Sequence, residues 1–316
     1  MNVIYPKIAL LSVLALSNFD ATVFAQSPTA QPAANTAGEA SQNVSGQALV
    51  QESVRRLDGY ATIESKIRVR TDLLGQPLVG SGSYAQLDST TGLLLRMELA
   101  IQAGQQTTSI KHICDGSSLW EHWRIGENER VNQVDLKRVA KTLKQNPAPL
   151  SMTSSNLASG GLPRLVTQLA TNFDFDTTAV RSGTVGSKEG VNVNVWSVTG
   201  VWRAESLANT APNAVVDNKI VLEKLPSHLP HQVELVIGQS DFFPYRVTYQ
   251  KWEQKDKQLV LTPVVTTEFF EVRIGGALDP TQFQYEQPTH VHVADHTDVF
   301  LQSLGVATRP NDVKSR

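Results

Sequence analysis

Asp115-Gly116-Ser117-Ser118-Leu119-Trp120 is the stretch on which the fold turns. Asp-Gly is a tight-turn signal, because an Asp side chain bonds its own backbone two residues on and Gly accepts a left-handed conformation. Upstream, Thr107 to Cys114 alternates with a period of two. Downstream, Leu119 to Ile125 is a second strand-like run, with the large ring of Trp120 just past the turn. Two such runs joined by a tight turn read as a hairpin.

The same grammar continues outward. Tyr60 to Arg70, Leu78 to Leu87, Leu93 to Ala103 and Glu129 to Val134 also read as strands. Leu74-Gly75-Gln76-Pro77, Ser89-Thr90-Thr91-Gly92, Ala103-Gly104-Gln105 and Gly126-Glu127-Asn128 join them. Short, regular strands with tight turns predict an antiparallel meander, either an up-and-down sheet or a barrel. A helix, Gln47 to Leu57, precedes the meander and stops at Asp58-Gly59. Helical pattern returns at Leu136 to Gln145 and at Leu162 to Ala170, where Pro163 suits a first turn. Pro147 to Gly161, between them, is Ser-, Pro- and Gly-rich and reads as mobile. Strands resume at Asn192 to Trp202, Gln232 to Ile237, Tyr245 to Trp252 and Leu259 to Val272. Ala204 to Leu229 interrupts them as an inserted loop with a short helix. A strand at Gln282 to Tyr285 and a helix near Thr297 to Leu304 close the pattern. No internal repeat is visible. The fold class is mainly β with covering helices.

Length and termini set the context. The chain has 316 residues and a formal net charge of −2. That balance gives no field for nucleic acid, which is excluded as a partner. Lys7, the apolar run Ile8 to Leu16 and the small residues Val23 and Ala25 form a signal peptide, residues 1–25, cleaved after Ala25. The run is too short to span a bilayer, and no other stretch is long enough. The protein is therefore expected to be exported and periplasmic, not integral to the membrane. Residues 26–45 are rich in Ala, Ser, Pro, Gln and Thr and read as a flexible tether. Residues 46–305 form one domain, and 306–316 a disordered tail. Cys114, the single cysteine, rules out an internal disulfide and reads as a small apolar strand residue.

No catalytic constellation emerges. Gly-x-Ser-x-Gly, a Walker loop and a dinucleotide fingerprint are absent, and the carboxylates form no acid–base pair. No cofactor is expected. His290-Val291-His292-Val293-Ala294-Asp295-His296 resembles the His-x-His-x-Asp-His signature of metallo-β-lactamase-like hydrolases, but one extra residue separates the second His from the Asp. The bland alternative is a strand-to-helix corner with Asp295 capping the last helix. What recurs instead is amphipathic β-structure: Leu93, Leu95, Met97 and Leu99; Trp120; Trp123; Trp196; Phe242 and Phe243; Phe269 and Phe270. Singly, each is an ordinary core residue. Together they suit the lining of a cavity between a curved sheet and covering helices.

In order and spacing these elements resemble the LolA-like periplasmic carriers that sort outer-membrane lipoproteins. The best matches are Cys114 to Trp120, Asp241-Phe242-Phe243-Pro244-Tyr245-Arg246-Val247, and Phe283-Gln284-Tyr285-Glu286-Gln287-Pro288 followed by Asp295, within Gln47 to Leu304. The resemblance implies an unclosed, strongly curved antiparallel half-barrel with a helical lid. It also implies an apolar concave face that receives lipoprotein acyl chains or another lipid, an inner-membrane donor and an outer-membrane acceptor. Leu93, Leu95, Met97, Leu119, Trp120 and Trp123 are the lipid-binding candidates. The geometry expected at the turn is a chain reversal at Asp115-Gly116, with Leu119 or Trp120 directed into the concave face. The family's lid-holding Arg-Pro pair before the third strand is missing; Ser89-Thr90-Thr91-Gly92 stands there, and Arg96 lies further along. Two other readings accompany the carrier: a non-catalytic envelope sensor or scaffold of the same fold that recognises a peptide or protein, and a metal-dependent hydrolase centred on His290, His292 and His296.

Overall fold

The computed structural model describes residues 44–73, 76–90, 92–103, 106–145, 156–186, 192–256, 258–304 and 306. The expected signal segment, the expected tether as far as Asn43, positions 147–155 of the stretch expected to be mobile, and the expected tail apart from Val306 lie outside the described residues.

The meander is built from β1 (Thr62–Leu73), β2 (Gln76–Ser89), β3 (Gly92–Ala103), β4 (Gln106–Asp115), β5 (Ser118–Ile125) and β6 (Asn128–Asp135), each antiparallel to the next. Later come β7 (Phe173–Asp174), β8 (Arg181–Gly186), β9 (Asn192–Trp202), β10 (Val215–Val216), β11 (Lys219–Ile220), β12 (Gln232–Gly238), β13 (Pro244–Lys255), β14 (Gln258–Ile274) and β15 (Val293–Asp295). Five helices accompany them among the described residues: α1 (Gly46–Asp58), α2 (Leu136–Gln145), α3 (Asn156–Asn172), α4 (Ala204–Thr210) and α5 (Thr297–Ser303). Thirteen strands form one curved sheet in the order β15-β6-β5-β4-β3-β2-β1-β14-β13-β12-β9-β7, with β8 also on β9. The path stays open between β15 and β7, so the sheet is an unclosed half-barrel. β10 and β11 form a small hairpin of their own inside the 204–229 insert.

One face of the sheet carries the helices. Ile63, Ile67 and Val69 of β1, Leu95, Met97, Leu99 and Ile101 of β3, and Leu119 of β5 are buried there. They share a single core with Leu49, Val50 and Leu57 of α1 and with Leu162, Val166 and Leu169 of α3. Period-two alternation in the strands and 3.6-residue spacing in the helices bring these apolar sets together. α3 lies over β3 and β4, α1 over β12 and beside α3, and α2 and α5 sit at the β5–β6 end.

Glycine permits one close approach between neighbouring strands. A Cβ on Gly82 would sit 1.7 Å from the carbonyl oxygen of Glu98, so only a residue without a side chain fits between β2 and β3 there. The N-terminus of α1 is pinned by Ser45, whose hydroxyl accepts from the Ala48 amide at 3.0 Å and donates to Asp176 at 2.8 Å. Farther along the helix, the Ser53 hydroxyl donates to the Phe242 carbonyl at 2.7 Å and Tyr60 to that of Asp241.

The tail departs from expectation. Gln282 to Tyr285 is not a strand: Pro280–Phe283 is a short 3-10 helix capped by Asp279, followed by extended chain. Two strands that the pattern concealed, β7 and β8, pair with β9.

Candidate functional site

Strand register sorts the helix-covered face into rows running across β1 to β6, since directly opposed residues share a face. One row reads Ile63, Gln86, Leu95, Cys114, Leu119, Val134. Another reads Ile67, Gly82, Leu99, Ile110, Trp123, Arg130. Leu95, Met97 and Leu119 are fully buried or nearly so, and Trp123 is half-buried against the same core. Cys114 is buried in the first row and donates from Sγ to the Leu93 carbonyl at 3.3 Å; burial pushes its thiol pKa up. Leu93 itself is only partly buried.

Between these apolar rows lies a polar one, invisible to hydropathy: Ser65, Tyr84, Met97, His112, Glu121, Asn132. Tyr84 donates to Gln86 Oε1 at 2.6 Å and accepts from the Leu162 amide at 3.0 Å. Gly161, with φ of 65°, makes that contact possible, because a Cβ there would lie 2.4 Å from Gln86 Oε1. The start of the straight part of α3 is thus tied to the sheet through one hydroxyl. His112 sits on the same row, 0% exposed, with neither ring nitrogen partnered. Its ring meets Trp123 edge-on at 6.1 Å. Burial pulls its pKa down, against the opposing charge of Glu121. The signal was present in the sequence, since His112 has the parity of Ile110 and Cys114.

At its β6 end the row reaches a polar lip. Arg130 donates to Asn132 Oδ1 at 3.0 Å and to His296 Nε2 at 2.8 Å. Burial and the Arg130 charge lower the pKa of His296, while Glu121 and Asp295 act the other way.

The turn that opened the reading reverses the chain between β4 and β5. Asp115 Oδ1 accepts from the amides of Ser117 at 2.8 Å and Ser118 at 2.7 Å, and Gly116 takes φ of 85°. Leu119 points into the helix-covered core, and Trp120, one residue on, points to the opposite face. There Trp120 stacks on Tyr285, with centroids 4.8 Å apart. Tyr285 belongs to a strap, residues 278–292, that lies on the helix-free face. Phe283 is buried with Ala85 and Leu94, and Arg96 donates to the Gln282 carbonyl at 2.6 Å. His122 pairs through Nε2 with Glu129 at 2.6 Å and through Nδ1 with the Tyr285 hydroxyl at 3.1 Å. His290 also reaches Glu129, at 2.9 Å. His290 and His296 therefore bind different partners, and among the described residues no group of three His, Cys, Asp or Glu converges as a metal site. Asp295 Oδ1 accepts from the Thr297 amide at 2.8 Å, at the start of α5. No described helix is long and apolar enough to cross a membrane.

No family model and no curated protein matches the chain. Solved structures to which it is similar include MucB, at 13% identity and a TM-score of 0.34, covering 77% of this chain and 65% of that one. A putative outer membrane lipoprotein-sorting protein domain from Vibrio parahaemolyticus is similar at 9% identity and a TM-score of 0.30, covering 76% of this chain and 96% of that one. A LolA superfamily protein from Nitrosomonas europaea is similar at 11% identity and a TM-score of 0.22, covering 77% and 99%.

Proposed function

We propose that this chain is an exported, non-catalytic carrier that holds the acyl chains of a lipoprotein, or another lipid, between the sheet and its helices. The observation that carries the reading is the helix-covered face. There Leu95, Met97, Leu119 and Trp123 continue into Leu99, Ile101 and Ile110 under helices joined to the sheet largely by apolar contact. Acyl chains in water are costly, at about 0.8 kcal/mol per exposed CH₂. A carrier must cover them and still let them go, which favours plastic apolar packing over a dense polar network. In this reading the signal peptide leaves after Ala25, residues 26–45 tether the 46–305 domain, and cargo passes from an inner-membrane donor to an outer-membrane acceptor.

Lipid extraction and native mass spectrometry of protein recovered from the periplasm test the idea, together with titration of a fluorescent acyl probe. Co-purifying lipid and saturable probe binding are expected. A lipid-free protein that also ignores the probe would remove the carrier reading.

A further inference from the structure

We propose that His112 is a polar anchor within the acyl-binding face, its ring N–H donating to an ester carbonyl of the bound lipid. The proposal rests on the carrier reading and adds a ligand class to it: ester-linked acyl lipids over bare or ether-linked chains.

The argument starts from an orphan. Buried polar groups in folded proteins are almost always hydrogen-bonded, and each exception calls for an explanation. His112 is fully buried, and neither Nδ1 nor Nε2 has a partner. A neutral imidazole carries one donor and one acceptor. Burial keeps this ring neutral, so the N–H is available without a counter-charge.

Position gives the orphan its meaning. Along β4 the ring lies between Ile110 and Cys114, both on the helix-covered face. Across the sheet it lies between buried Met97 and Glu121, the latter half-buried beside the Arg130–Asn132–His296 lip. The edge-on ring of Trp123 holds its plane. His112 thus stands between the polar side chains of β5 and β6 on one side and the apolar residues Leu99, Ile101, Ile110 and Trp123 on the other. An amphiphile whose chains follow those apolar residues carries its ester carbonyls at the junction between chain and head group. Those carbonyls are acceptors only, which suits a lone N–H in apolar surroundings.

The test uses the protein recovered from the periplasm and freed of bound lipid, with two probes of equal chain length, a diacylglycerol and the corresponding dialkyl diether. The wild type should bind the diester about fivefold or more tightly, the size of one net hydrogen bond. His112→Phe should keep the contact with Trp123, bind the diether like wild type and lose the ester preference. Its ligand-free thermal midpoint should rise, because an unpartnered polar group is gone. His112→Gln retains an N–H donor and should keep part of the preference. Equal binding of both probes by the wild type, or an unchanged preference in His112→Phe, overturns the anchor and leaves the carrier reading standing. Failure to bind either probe overturns both.

Discussion

The indole of Trp120 lies flat on the phenol ring of Tyr285, centroids 4.8 Å apart and planes inclined by 17°. One ring follows the turn after β4, and the other belongs to a segment 165 positions further along the chain by subtraction of their residue numbers. The contact therefore closes the strap onto the helix-free face. An aromatic pair adds about 0.5–1.5 kcal/mol beyond the area it buries. Tyr285→Ala also removes the hydroxyl bonded to His122. It should lower unfolding stability by about 1–3 kcal/mol in urea titrations and expose the strap to limited proteolysis. Trp120→Ala should do the same, and the double variant should cost less than the sum of the two.

Much of this architecture is legible in the sequence, because period-two alternation and Asp-Gly or Gly-containing turns are local signals. β1 to β6, α1 and α2 lie close to where the pattern puts them. The strap is not legible as such. Phe283-Gln284-Tyr285 alternates like a strand, yet Phe283 and Tyr285 bind the sheet by side chains while the backbone turns through a 3-10 helix. β8 has a weakly apolar pattern, Arg181-Ser182-Gly183-Thr184-Val185-Gly186, and takes its strand form from pairing with β9. The site divides similarly. Leu95, Met97 and Leu119 follow from alternation, whereas Trp120 belongs to the other face because a β-strand reverses side at every residue. The polar row of Ser65, Tyr84, His112 and Glu121 depends on register among five strands, which no local pattern encodes.

Gly82 marks a close approach of β2 to the backbone of β3. Gly82→Ala places a Cβ 1.7 Å from a backbone oxygen of β3, and no rotamer change relieves that contact. The substitution should cost more than about 3 kcal/mol or prevent folding. Gly183→Ala, where a Cβ meets nothing within 4 Å, is the matched control and should be nearly neutral.

Tyr84 carries the polar tie between the sheet and α3. Tyr84→Phe leaves Gln86 Oε1 and the Leu162 amide without their buried partner, at a cost of about 1–3 kcal/mol. Hydrogen exchange separates this from a general loss of packing: the Leu162 amide should lose protection more than the amides of β3. Equal loss at both would show that the hydroxyl does not hold the helix.

Asp115 should contribute to acid sensitivity. Burial acts to raise its carboxyl pKa, but hydrogen bonds from the Ser118 and Ser117 amides, the Ser117 hydroxyl and the Trp120 indole outweigh it and hold the group below its ordinary value. A carboxyl depressed in the folded state contributes stability that is present above its unfolded pKa, about 3.9, and lost as pH falls through the folded pKa. The urea midpoint of the wild type should therefore drop below about pH 4. Asp115→Asn should be less stable at neutral pH and show a shallower acid slope.

His112 predicts a second pH window, at milder acidity. Its folded pKa is lowered by burial, only partly countered by Glu121, so the unfolded chain takes up a proton at a higher pH than the folded one does. The stability linked to this group is present above the unfolded value of about 6.5 and is lost as pH falls from there through the folded pKa. His296, also lowered by burial and by Arg130, contributes in the same direction from the lip. Denaturant midpoints measured between pH 8 and 5 should fall for the wild type, and the slope should shrink in His112→Phe and further in His112→Phe with His296→Gln. Lipid binding should blunt the His112 part selectively if the ring donates to an ester, because a carbonyl acceptor also stabilises the protonated ring and brings its folded pKa back towards the unfolded value. An acid slope that His112→Phe leaves unchanged would mean that the ring is not neutral and buried in the folded protein, and the anchor would lose its physical basis.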